Sequence, residues 1–117
     1  MNVVTLIGNL ATDVELREVA GGKKVAGFLL AVDRPGPDGG ADFLRIAAWE
    51  RQAEACAQYL SKGKRVAVDG RLRSRSWEEP DGKRRSAVEV VANRVQFLWE
   101  SESTRAAETP FEPAAAG

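Results

Sequence analysis

A chain of 117 residues, 44% apolar and 29% charged, has room for one domain with a real core and is too short for two ordinary ones. Those proportions exclude disorder throughout, and no apolar run reaches the roughly 18 residues of a membrane-spanning helix. With no histidine and a single cysteine, Cys56, the chain can form no internal disulfide, has no metal cluster and lacks the commonest general base near neutral pH.

The formal charge of zero conceals an uneven distribution. Residues 1–99 carry sixteen Lys and Arg against thirteen Asp and Glu, a net of +3, while residues 100–117 carry Arg105 against four glutamates, a net of −3. A mildly basic body with an acidic tail hints at a polyanionic partner. Met1 leads straight into a strand-like pattern with no basic leader or cleavage site, so the expected location is the cytoplasm.

In chain order, "NVVTLIGNL" (Asn2 to Leu10) is rich in β-branched residues and predicts a strand with a bend or bulge at Gly8. Glu15 to Val19 is a short strand, "AGGKK" a turn, and Val25 to Asp33 a second main strand. Two prolines and three glycines make "RPGPDGGA" an exposed loop. "DFLRIAAWE" is the third main strand. In "RQAEACAQYLSKG" the apolar period changes, with Ala53, Cys56, Ala57 and Leu60 on one helical face and Gly63 placed to close the helix. "KRVAVDGRLRSRSW" and "KRRSAVEVVANRVQFLW" are long strands joined by the turn "EEPDG". The expected fold is all-β: a five-stranded OB-fold barrel with one short helix between its third and fourth strands. Residues 1–99 form this domain; residues 100–117, with Phe111 their only large apolar residue, form a disordered acidic tail.

Strand alternation assigns the chemistry. Arg71, Arg73, Arg75 and Trp77 share one face, with Gly70, Leu72, Ser74 and Ser76 on the other; Phe43, Arg45, Ala47 and Trp49 share a face of the third strand. Three guanidinium groups and an indole in a row make a poor core, and the row offers no acid until Glu79, so it should face solvent or a ligand. Exposed aromatics interleaved with arginines suit a single-stranded nucleic acid: unpaired bases stack on rings while guanidinium groups take phosphates, whatever the sequence. Both rows are expected on one outward side, on neighbouring strands. Arg17, Arg34 and Arg84 are further candidate contacts. Phe28 and Cys56 are expected in the core, and Val95, Phe97 and Trp99 in the core or a subunit interface. No phosphate-cradling glycine loop, metal cluster or nucleophile with a base at recognisable spacing is present, so no enzyme, cofactor or metal is expected.

At these residues the chain resembles the bacterial single-stranded DNA-binding protein family, over about Asn2 to Leu98. "NVVTLIGNLATDVELR" is similar to that family's opening strand, "GGKKVAGFLLAV" to its second, "YLSKGKRVAVDGRLRSRSW" to its helix exit and fourth strand, and "VEVVANRVQFL" to its fifth. The resemblance implies an OB-fold subunit that binds single-stranded DNA without sequence preference in replication, repair and recombination, in the cytoplasm at the nucleoid. It also implies a homo-oligomer, usually a homotetramer, in which the first strand (Asn2, Val3, Val4, Thr5, Leu6 and Ile7) pairs between subunits. Phe43, Trp49 and Trp77 fall at the family's stacking positions, and Arg45, Arg73 and Arg75 at its basic contacts.

Three departures stand out. "RPGPDGG" lacks the family's loop tryptophan, leaving Arg34 as the contact there. Val14 replaces a usual proline. The tail has Pro110 and Phe111 but no aspartate run and no terminal phenylalanine, so recruitment of replication and repair proteins through it is not implied. Two alternatives stay open: a single-stranded RNA-binding OB module, in which only the 2′-hydroxyl differs, and an accessory protein-interaction subunit with weak DNA binding.

Overall fold

The computed structural model describes residues 1–98. Six strands and one helix follow in the order β1 (Val4–Leu10), β2 (Glu15–Glu18), β3 (Lys24–Asp33), β4 (Ala41–Trp49), α1 (Arg51–Tyr59), β5 (Arg65–Glu78) and β6 (Arg84–Phe97). Neighbours in the sheet run β1-β5-β6-β4-β3-β2, and β1 also pairs with β3, so five strands close into a barrel with the short β2 as an added edge. This is the expected OB-fold arrangement, helix included. Among the described residues no helix is long and apolar enough to cross a membrane.

Closure depends on β1 changing partners. Val4 to Asn9 pair with β5, and Asn9 and Leu10 pair with Ala31 and Leu30 of β3. Gly8 makes the exchange possible, but not as a bulge: the register runs through it without a shift. A Cβ on Gly8 would lie 2.3 Å from the Ala31 carbonyl oxygen, so the glycine is required for close approach of β3. Asn2 lies just before β1, yet its side-chain amide donates to Leu72 O and accepts from Leu72 N, both at 2.9 Å, continuing the β1–β5 ladder by one side-chain rung.

The core consists of the inward rows of these strands. Phe28 and Leu30 of β3, Ile46 and Ala48 of β4, Val66 and Val68 of β5, and Val90 of β6 are buried together. Helix α1 closes the barrel's end with Ala53 and Cys56, and Leu60 follows them inward. Burial raises the Cys56 thiol to about 11, so it remains a protonated packing group at neutral pH. The helix stops at Tyr59, earlier than expected: Leu60 is already extended. Gly63 instead serves the turn into β5, at φ 96° with its N–H donating to Leu10 O at 2.9 Å. Val95 and Phe97 are half-buried against the core, and the Phe97 ring lies 6.2 Å from that of Tyr59. Trp99 and the acidic tail lie outside the described residues.

Beyond the barrel, β5 and β6 continue as a two-stranded ribbon to the Pro80–Gly82 turn, where Glu79 N–H donates to Lys83 O and Gly82 adopts φ 86°. One irregularity interrupts the ladder: Asp69 faces Arg94 but Gly70 faces Ala92, leaving Asn93 as a bulge. Gly70 sits against this point, where a Cβ would lie 2.1 Å from Val91 O.

Candidate nucleic-acid interface

Cross-strand partners share a face of the sheet, so the register locates each row. In β3–β4, Gly27 pairs with Ala47, Leu29 with Arg45, Ala31 with Phe43 and Val25 with Trp49. In β5–β6, Arg71 pairs with Val91, Arg73 with Glu89, Arg75 with Ala87 and Trp77 with Arg85. The parallel pair Ala47–Val91 joins the two sets. Phe43, Arg45, Trp49, Arg71, Arg73, Arg75 and Trp77 therefore share one outward side, as alternation predicts. The two rows are not on neighbouring strands, however, because β6 runs between β4 and β5.

Between the rows lies a groove of about 300 Å³ whose walls include Arg17, Arg45, Trp49, Arg73, Arg75 and Glu89. Arg17 reaches it from β2, opposite Val25. The Arg45 guanidinium occupies the space left by the missing side chain of Gly27, where a Cβ would lie 2.8 Å from Nη2. Phe43 is 62% exposed and Trp77 38% exposed, whereas Trp49 is half-buried in the groove wall. The Arg75 guanidinium carbon sits 5.3 Å from the centroid of the Trp77 ring, a cation–π contact that holds the indole.

The face does contain an acid, contrary to the expectation of none before Glu79. Glu89 is buried at its centre; its Oε2 accepts from Arg73 Nε at 3.1 Å and from Arg73 Nη2, and its Oε1 lies 3.8 Å from Arg75 Nη1. The acid comes from the strand across the hairpin, so the row of β5 read alone does not show it. Four arginines and one carboxylate leave the groove net positive, with flat rings at its margins.

Two expected contacts stand apart. Arg34 begins the β3–β4 loop and is ion-paired with Asp42 at 2.8 Å, both exposed. Arg84 pairs across the ribbon with Glu78, on the reverse face from Trp77, with its Nη2 3.5 Å from Ser76 Oγ. Of the basic run Lys83 to Arg85 in this hairpin, which the sequence offers as either phosphate contacts or a solvated turn, Arg85 and not Arg84 is the residue beside Trp77, and it is held by Glu79 at 2.9 Å. The six interface candidates Asn2 to Ile7 form the approach to β1 and most of that strand; Val3 is 71% and Ile7 49% exposed. From Val4 to Gly8 the edge of β1 away from β5 pairs with no described strand of this chain.

Comparison with known proteins gives the chain's family. The profile of the single-strand binding protein family matches residues 1–98. "Single-stranded DNA-binding protein 3" of Clostridium acetobutylicum is 50% identical over 106 residues, covering 86% of this chain and 74% of that protein. "Single-stranded DNA-binding protein" of Clostridium tetani is 48% identical over 102 residues, covering 84% and 70%. By a match spanning the whole barrel and relatives of this identity, the chain belongs to the single-strand binding protein family.

Proposed function

We propose that the chain binds single-stranded DNA without sequence preference, by stacking bases on Phe43, Trp49 and Trp77 and ion-pairing phosphates with Arg17, Arg45, Arg71, Arg73 and Arg75. It thereby shields stripped DNA during replication, repair and recombination, in the cytoplasm at the nucleoid. The observation that carries this reading is the arginine-walled groove flanked by flat rings on one side of the barrel. Stacking and ion pairing make and break no covalent bond, so the protein acts as a binder and not as an enzyme. Arg34, at the start of the β3–β4 loop, and Arg84, on the reverse face of the ribbon, lie outside the groove and are secondary contacts.

The free edge of β1 and the exposed Val3 and Ile7 favour assembly with further copies, since an apolar edge left open invites strand pairing. We assign a homotetramer. Residues 1–99 are the binding domain and residues 100–117 a separate tail.

Titrating tryptophan fluorescence with oligo-dT tests the reading. Trp49→Ala and Trp77→Ala should each weaken binding by about 1–3 kcal/mol and reduce the quenching. With roughly five phosphates neutralised per subunit, affinity should fall about a hundredfold from 50 to 200 mM salt. A flat salt response, or unchanged affinity in both variants, removes the groove as the site; a matched RNA oligomer that outcompetes DNA reassigns the ligand.

A further inference from the structure

A carboxylate in the floor of a groove built for phosphates is electrostatically out of place. Glu89 is only 4% exposed, cancels one of the four positive charges around it, and bears the desolvation cost of a buried ion. As a point charge it opposes binding, so its contribution lies in what it holds.

Its two oxygens serve different arginines. Oε2 accepts from Nε and Nη2 of Arg73, and Oε1 lies 3.8 Å from Nη1 of Arg75. Both arginine side chains are otherwise substantially solvent-exposed, at 39% and 48%. An exposed arginine samples many rotamers, and a ligand that fixes it loses affinity to that ordering. Two of Arg73's five N–H donors are used by Glu89, and three remain for a phosphate. Arg75 lies between Glu89 and the Trp77 ring, so the carboxylate is connected to the stacking indole through one guanidinium.

We propose that Glu89 is a positioning residue for DNA binding: it orders Arg73, and draws Arg75 beside it, before the strand arrives. The proposal rests on the reading of this groove as a single-stranded DNA site. It trades one unit of attraction for two pre-aligned guanidinium groups and a braced Trp77.

The two roles of a carboxylate predict opposite signs, which makes Glu89→Gln decisive. Loss of a negative charge alone tightens binding to a polyanion; loss of pre-alignment weakens it, here by about tenfold for oligo-dT at fixed low salt if two side chains must be ordered on binding. The salt slope should stay the same or steepen, because every arginine retains its charge. Glu89→Asp keeps the charge but withdraws the carboxylate by one methylene, and should weaken binding in the same direction. In an Arg73→Lys, Arg75→Lys background, which lacks the forked donors, Glu89→Gln should no longer weaken binding. Thermal melts identify the folded variants; if Glu89→Gln does not fold, Glu89→Asp carries the test alone, and unchanged affinity overturns the proposal. Wild-type protein that fails to bind oligo-dT overturns the DNA-binding reading itself; wild-type that binds while Glu89→Gln binds equally or more tightly overturns only the role of Glu89.

Discussion

Arg45 lies where a side chain on Gly27 would be, its Nη2 2.8 Å from the position of a Cβ there. The obstructing atom is the far end of a flexible chain, and Gly27 has ordinary extended backbone within β3, so an added methyl group displaces the guanidinium and spares the strand. Gly27→Ala also lowers the entropy of the unfolded chain, which stabilises by about 0.4–1 kcal/mol where the backbone is compatible. The expected result is therefore a melting temperature equal to or above wild type, together with oligo-dT affinity reduced about threefold to tenfold, part of one charge-assisted contact. A thermal melt and a fluorescence titration on one sample check both halves. Affinity unchanged at low salt would show that Arg45 is not held in its contacting position by that space. The arginine was recognisable from alternation; the glycine beneath it was not, because their meeting depends on the β3–β4 register.

At the scale of elements, α1 and the Asn93 bulge explain each other. A bulge leaves backbone groups without ladder partners. Gln52, in the first turn of α1, satisfies two of them: its Nε2 donates to Asn93 O at 2.8 Å and its Oε1 accepts from Val95 N at 2.7 Å. Gln52→Ala should lower stability by about 1 kcal/mol, the cost of orphaning the part-buried Val95 N–H while water takes up the exposed Asn93 carbonyl, and Gln52→Glu should recover part of it, having an acceptor for Val95 but no donor for Asn93. Urea unfolding of the three proteins measures this; a wild-type midpoint for Gln52→Ala would mean that water replaces the amide without cost. The hairpin shows how legibility depends on distance along the chain. Its turn was plain from Pro80, Asp81 and Gly82, and counting outward from Glu79 and Lys83 brings Arg73 opposite Glu89, so the buried acid was present in local information. The bulge was not, since it answers to Gly70 and to a glutamine some forty residues away.

For the whole molecule, patterning identified the strands, the helix and the outward rows, because each is a local periodicity. It did not yield the order β5-β6-β4, which inserts β6 between the two arginine rows, nor the true role of Gly8, which serves a contact with Ala31 in another strand. The proposed assembly is the remaining non-local property, and the open edge of β1 is the observation that supports it. The strand uses one edge for β5 and, from Val4 to Gly8, no other described strand of this chain for the second, while Val3 and Ile7 stand exposed beside it. An open apolar edge of this kind is ordinarily covered or charged. On the proposed homotetramer, light scattering should give a mass about four times the 12.7 kDa of one chain, and Val3→Lys with Ile7→Lys should lower it by placing like charges along the edge proposed to pair. Because the groove of each barrel is built from β2 to β6 without β1, the dissociated variant should still quench its tryptophans with a short oligo-dT. It should lose affinity chiefly for long strands that span several barrels, since linked sites bind by effective concentration. A variant that remains tetrameric would place the subunit contact elsewhere, and one that binds long and short strands alike would separate DNA binding from assembly.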